Sequence, residues 1–163
     1  MDVEVPMTGT PATVAAARAR VAFTLHSYTH DPAAPSYGEE AAKALGVDPE
    51  RVFKTLVTEV DGTLTVAVLP VSASLALKAL ARAAGGKRAA MADPAAAERA
   101  TGYVRGGISP VGQRKRLRAV LDASAQRHAT IFVSGGRRGL EMELAPGDLI
   151  ALTGAVTAPI TRE

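Results

Sequence analysis

Cysteine and tryptophan are absent from this chain, and three phenylalanines and three tyrosines are all the aromatic side chains it has. Without cysteine there is no disulfide framework, no thiolate nucleophile and no cysteine-ligated zinc site, so any catalysis must use oxygen, nitrogen or the substrate itself. Long apolar runs are missing too. None approaches the ~18 residues that span a bilayer, and the N-terminus lacks the basic-then-apolar pattern of a secretory signal. The protein is therefore expected to be cytoplasmic, with no membrane partner. With aromatics at 4% against an apolar fraction of 47%, the core must be aliphatic, alanine-rich and closely packed, which leaves little room for large apolar pockets.

Nor does either sign of charge dominate. Nineteen basic residues against sixteen acidic ones give a formal charge of +3, and the pI of about 9.5 favours an anionic partner. Placement matters more than the sum. Arg114, Lys115, Arg116 and Arg118 form the densest basic cluster, and Arg105, Arg137, Arg138 and Lys87-Arg88 all lie near Gly pairs. Any one of these can be a solvated surface charge; together they point to phosphate contacts, since a nucleic-acid backbone requires several cations on one face.

A chain of 163 residues fits one domain, and dividing it would leave each half marginal. The pattern predicts a loose leader over residues 1–11 and a single domain over 12–163. Thr10-Pro11 starts a helix running towards Arg20, and Ala22 to His30 alternates as a strand. Ser36 and Glu39 form a capping box for a helix that ends at Gly46. Val52–Val60 and Thr63–Leu69 are β-branched runs joined by Asp61-Gly62, the signature of a tight hairpin. Ser74 to Ala84 reads as a helix closed by Gly85-Gly86, and Asp93-Pro94 opens another that Gly102 closes. Tyr103 to Gln113 holds Gly106-Gly107, Pro110 and Gly112, and so predicts a long shaped loop. Strands follow near 119–121, 129–134 and 140–144, with short helices near 123–127 and 146–152 and an edge strand over 155–160. Hairpins demand antiparallel pairing while the intervening helices permit parallel crossovers, so the class is α+β, a mixed sheet flanked by helices.

Lys54 shares a strand face with Val52 and Leu56, and that face should be at least partly buried. It is either a snorkelling surface residue or a placed cation, because a buried ammonium without a partner costs several kcal/mol. His26 and His30 are four apart, but on an apparent strand and without the glutamate of a metalloprotease, so no metal role is assigned. His128 is isolated. Spacing assembles no Ser-His-Asp set and does not exclude one. Gly106-Gly107 and Gly135-Gly136 could turn backbone N–H groups towards an anion; Gly135-Gly136 with Gly139 could equally just close a hairpin. Neither pair is a GxGxxG or Walker fingerprint.

The strings VFKTL, VAVLPV, MADP, TGYVRGGISPVGQRKRL and VSGGRRGLEMEL occur in this order between Phe23 and Asp148, and in that order the chain resembles the YbaK/EbsC-type tRNA-editing family, related to the editing domain inserted in some bacterial prolyl-tRNA synthetases. GGISP with the downstream SGG-x-RGL carries the resemblance. It implies a barrel-like mixed sheet flanked by helices, no metal or nucleotide cofactor, and hydrolysis of the ester between a small wrong amino acid and the terminal adenosine of tRNA. The branch it looks like prefers cysteine on tRNA(Pro), so the expected activity is that of a free-standing trans-editing deacylase. The alternatives are a deacylase for alanine or serine, or a non-catalytic tRNA- or synthetase-binding module.

The resemblance further implies that Lys54 is the principal functional cation, with the Gly107 amide as candidate oxyanion donor. Tyr28, Tyr37, Thr55 and Ser134 would line the substrate pocket. The acidic position after RGL, commonly aspartate in the family, is Glu141 here, one methylene longer. Arg105, Arg114, Lys115, Arg116, Arg137 and Arg138 are the candidate tRNA contacts, and prolyl-tRNA synthetase is a candidate partner. In this branch the proposed nucleophile is the substrate's own cysteine thiol, which would explain catalysis by a chain with no thiol and no evident triad.

Overall fold

The structure, a computed structural model, describes residues 9–29 and 37–162. Thr10 caps the first helix, α1 (Pro11–Arg18), by accepting the amide of Thr13, and its hydroxyl donates to the Gly135 carbonyl. Thr10 and Pro11, placed in the leader by the sequence, are thus already packed on the body of the chain. Strand β1 (Phe23–Ser27) follows, then helix α2 (Tyr37–Leu45), which ends at Gly46 as expected. Ser36 of the proposed capping box, His30 and the side chain of Tyr37 lie outside the described residues.

Asp61 and Gly62 both take positive φ, 49° and 82°, as a two-residue turn matched to strand twist requires. The turn joins β2 (Phe53–Val60) to β3 (Thr63–Pro70) in full antiparallel register, with Lys54 opposite Leu69. Ser74–Leu75 corrects the sequence reading: it is a short strand, β4, and the helix after it, α3 (Leu77–Ala83), begins later. Strand β5 (Ala89–Met91), unforeseen in the sequence, leads to α4 (Pro94–Thr101), capped by Asp93 through the Ala96 amide and ended by Gly102. Residues 103–113 form an irregular loop, braced where the Tyr103 hydroxyl donates to Val111 O at 2.6 Å. Then come β6 (Arg118–Asp122), β7 (Ile131–Ser134), β8 (Leu140–Leu144), α5 (Pro146–Thr153), β9 (Val156–Ala158) and β10 (Thr161–Arg162).

The main sheet is mixed, in the order β5-β2-β3-β6-β9, antiparallel on one side of β3 and parallel on the other. β9 is the edge strand that the sequence predicted. A second, antiparallel sheet runs β1-β8-β7, and β4 pairs with β10. The central strand β3 is buried along most of its length, which explains its unbroken apolar run. The principal core lies between the two larger sheets, where Phe53, Val66 and Val68 meet Ile131, Val133, Met142 and Leu144, sealed by α1 and α5. Leu80 and Ala81 of α3 cover the other face of the main sheet, and α2 packs on Val52, Val71 and Phe132. The two sheets curl towards each other without closing into a barrel among the described residues, and a parallel bridge between Val52 and Phe132 joins them along one seam.

Candidate active site

Beside that seam the chain forms a cleft of about 530 Å³. The expectation of little room for large pockets fails here for a physical reason: the space comes from the unclosed junction of two sheets, not from loose packing inside the core. One wall is Phe53–Val57 of β2; the second carries Tyr28, Ser134 and Glu141 from the smaller sheet and its margins; the third is Met91, Ala92 and the cleft-facing side of α4, with Arg105, Gly106 and Ile108 of the 103–113 loop.

Lys54 lies in the β2 wall, half-buried, and its Nζ donates to the Ala73 carbonyl at 2.7 Å. An ammonium has three donors, and among the described residues only this one is engaged. Burial pulls its pKa below the ordinary lysine value, and the charge of Glu39 opposes that shift. The adjacent Thr55 lines the same cleft, and among the described residues its buried hydroxyl has no hydrogen-bond partner. A native fold rarely leaves such a group unsatisfied, since it costs about 1–3 kcal/mol. Alternation along a strand sends neighbours to opposite faces, and both Lys54 and Thr55 line the cleft on the stretch of β2 that β3 still pairs but β5, which reaches only Thr58–Val60, no longer flanks.

Glu141 sits on β8 between Ser134 and His26 in register, is 7% exposed, and is pushed up to about 8 by burial. At neutral pH it is therefore chiefly the uncharged acid, able to donate a proton in a hydrogen bond. The Tyr28 phenol is raised as well, first by burial and then by Glu141, and the Tyr28 amide donates to Gly139 O at 3.0 Å. Ser134 Oγ accepts the Gly136 amide at 3.1 Å, which closes the turn out of β7. On β1, one strand over from Glu141, His26 approaches Glu143 at 2.8 Å rather than a metal-ligating partner, beside the ring of Phe132.

Gly107 is not placed as the sequence had it. Its amide donates to Val104 O at 3.0 Å, so it is not an available oxyanion donor in this structure. Its neighbours Gly106 and Ile108 line the cleft instead. What requires glycine at 107 is a close approach: a Cβ would lie 2.7 Å from Arg137 Cα and 2.9 Å from Arg138 N. The two glycine-rich loops, far apart in sequence, dock here backbone to backbone.

The basic candidates divide. Arg105 is exposed on the cleft wall, with its backbone amide held by Glu98 Oε2 at 2.9 Å. Arg114, Lys115 and Arg116 are exposed, but the first two hang from the Thr101 and Ala100 carbonyls at the end of α4, and the Arg116 guanidinium packs on Gly154 at the end of α5. Cations at helix C-termini are favoured locally whatever else they do. Arg137 is exposed, whereas Arg138 turns inwards to Glu40 at 3.6 Å. Met91, Pro94 and Glu98 were missed as cleft residues. MADP was their only sequence signal, and nothing local distinguishes Glu98.

The model of the aminoacyl-tRNA editing domain family matches residues 31–152 of the chain. The chain is 44% identical over 124 residues, 76% of each protein, to an Enterococcus faecalis protein provisionally named a Cys-tRNA(Pro)/Cys-tRNA(Cys) deacylase, EbsC. It is also similar to a crystal structure provisionally described as a trans-editing enzyme for prolyl tRNA synthetase, at 27% identity and a TM-score of 0.76, covering 86% of this chain and 87% of that one. The crystal structure of a hypothetical protein, APE2540, aligns with a TM-score of 0.81 at 25% identity over 93% of this chain and 99% of the other.

Proposed function

The chain belongs to the aminoacyl-tRNA editing domain family, and from that premise we propose that it acts in trans as a hydrolase of mischarged Cys-tRNA(Pro), with the substrate's own thiol as the attacking group. The observation that carries this reading is the cleft itself, which gathers the Lys54 ammonium, the Thr55 hydroxyl and the uncharged Glu141 carboxyl around one space. Among the described residues no histidine lines it, and the acid paired with Ser134, Glu141, is chiefly protonated at neutral pH and so is a poor base for its hydroxyl. A site rich in donors and short of an activated nucleophile suits a substrate that brings its own. The thiol sulfur adds to the ester carbonyl carbon, the bond to the ribose oxygen breaks, the thiol proton ends on that oxygen, and water then opens the cyclic thioester to free cysteine. An oriented intramolecular attack of this kind can lower the barrier by ~7–11 kcal/mol.

In this reading Lys54 faces the developing oxyanion and Thr55 donates to it or to the neighbouring ribose. Tyr28, Ser134 and Glu141 shape the pocket for the side chain and α-amino group, and Arg105 meets the phosphate nearest the ester. Arg114, Lys115, Arg116 and Arg137 extend the contact to the rest of the tRNA. Selection of tRNA(Pro) is borrowed from prolyl-tRNA synthetase if the two proteins associate.

Thr55→Val removes the hydroxyl at constant shape. It is expected to leave urea stability equal to the parent or about 1 kcal/mol higher, because an unsatisfied buried group is lost, while deacylation falls about tenfold, the worth of one ~1.4 kcal/mol transition-state contact. A stability loss with full activity would make Thr55 a structural residue only.

The reading is tested by deacylation of Cys-tRNA(Pro), Ala-tRNA(Pro) and Ser-tRNA by purified protein. Selective loss of cysteine is the expected result. Preference for alanine or serine would keep the cleft and overturn the thiol mechanism, and tRNA binding with no turnover would make the chain a binding module.

A further inference from the structure

The strands that carry one end of the cleft also carry a second concavity. β2 and β5 pair antiparallel at the margin of the main sheet, with Thr58 opposite Met91 and Val60 opposite Ala89. Val57, Met91 and Ala92 belong to the cleft, while Glu59, Asp61, Ala89 and Ala90 line a separate surface groove of about 660 Å³. Cleft and groove are thus two ends of one strand pair. Three cations stand in the groove, Lys78 from α3 and Lys87 and Arg88 from the segment entering β5, and all three are exposed.

The groove is braced rather than incidental. Both carboxylate oxygens of Asp61 are engaged, Oδ2 by the Lys87 amide at 2.9 Å and Oδ1 by the Arg88 amide at 3.0 Å, and the Asp61 amide returns to Arg88 O at 2.9 Å. Gly86 lets the segment lie this close: a Cβ there would be 2.5 Å from Val60 Cγ1 and 2.8 Å from Asp61 Oδ2. The hairpin turn therefore fixes the backbone beneath Lys87 and Arg88 while their side chains remain in solvent. Two acids share the groove, Glu59 and Asp61, against three cations; the Asp61 carboxylate is held down in the turn by the two backbone amides, so the cationic side chains stand further into solvent than its charge.

We infer that this groove binds the backbone phosphates of the 3′ strand of the substrate RNA, upstream of the aminoacylated end held in the cleft. The inference rests on the proposed function for the position of that end. At about 3.3 Å per residue, Arg88 lies roughly 10 Å along β5 from Met91. For a 3′ end that continues the stack of the stem at the ~3.4 Å per-strand rise of a duplex, that is about three nucleotides, so the unpaired end would cross β5 and the first phosphates of the acceptor stem would meet Lys78, Lys87 and Arg88. The exposed side chain of Met91, 54% accessible between cleft and groove, lies on that path as an apolar surface for a base.

The test is binding of a 5′-labelled, uncharged acceptor-stem minihelix, followed by anisotropy between 50 and 200 mM salt, for the parent protein and the triple variant Lys78→Gln, Lys87→Gln, Arg88→Gln. The variant is expected to bind at least tenfold more weakly at 100 mM salt, and its slope of log affinity against log salt to be shallower by about two to three, since each duplex phosphate contact contributes about 0.9. A parallel variant, Arg114→Gln, Lys115→Gln, Arg116→Gln, is expected to change the slope less. Unchanged affinity and slope in the groove variant, or no minihelix binding by the parent, would overturn the inference. Minihelix binding does not depend on hydrolysis, so a parent that binds through the groove yet deacylates nothing would refute the proposed function and leave the groove standing.

Discussion

Lys54→Ala is expected to reduce kcat/KM for Cys-tRNA(Pro) by about 10²–10³, the usual consequence of deleting one preorganised group that stabilises an oxyanion, and to leave the protein folded. The reason is the contrast between the two states of its ammonium. In the resting protein it is held by one carbonyl, Ala73 O, in a half-buried position where desolvation disfavours the charge. An incoming negative charge supplies what the cleft lacks, so the interaction is stronger in the transition state than before it, which is the condition for lowering the barrier. Stability should move the other way. Because the folded pKa lies below the unfolded one, the unfolded chain binds more protons between the two values and stability rises with pH across that window. Below it the fold carries the burden of the buried charge, and alanine relieves it. The Tm at pH 7 should match or slightly exceed the parent's. Full activity in the variant would remove Lys54 from the site.

Glu141→Gln should produce the largest pH-dependent change in stability. The carboxyl rises from 4.5 to about 8 on folding because it is buried. Between those values the folded chain binds the extra proton, so the contribution is present in full below about pH 4.5 and is lost as pH rises through 8, at up to about 1.4 kcal/mol per pH unit. Glutamine keeps the shape and a donor but cannot ionise. Parent and variant should melt together near pH 5, while near pH 9 the variant should be several kcal/mol more stable, a gap in Tm on the order of 10 °C. Parallel melting curves across the whole range would mean that the Glu141 carboxyl is better solvated than its place in the cleft implies.

Where local chemistry dictates conformation, the sequence was legible. Asp61-Gly62 can hardly be anything but a tight turn between β-branched runs, and Asp93-Pro94 with Gly102 brackets a helix by its caps. Ser74–Leu75 misled because a serine before an alanine- and leucine-rich run looks like a helix start; its strand pairing is with Thr161–Arg162, almost ninety residues away, and no local pattern encodes that. β5 was hidden in the same way, being three residues of alanine and methionine made into a strand only by β2.

The cleft divides along the same line. Lys54, Thr55 and Glu141 were named from motifs, and all three line it. Their physical states were not readable: the orphaned hydroxyl, the uncharged carboxyl and the Ala73 contact each depend on what tertiary packing brings near. Gly107 was named for its amide, yet its lack of a side chain is what the fold uses, to seat one loop on the backbone of Arg137-Arg138. Arg138 looked like a surface cation until folding brought Glu40 to it.

The central claim is that the substrate supplies the nucleophile and this cleft supplies the charge and the orientation. It is tested most directly by single-turnover deacylation of tRNA(Pro) charged with cysteine and of the same tRNA charged with 2-aminobutyrate, which has a similar side-chain size and no thiol. The account predicts rapid loss of cysteine and a rate for 2-aminobutyrate close to that without enzyme; equal rates for the two would contradict it and place an activated water in the cleft.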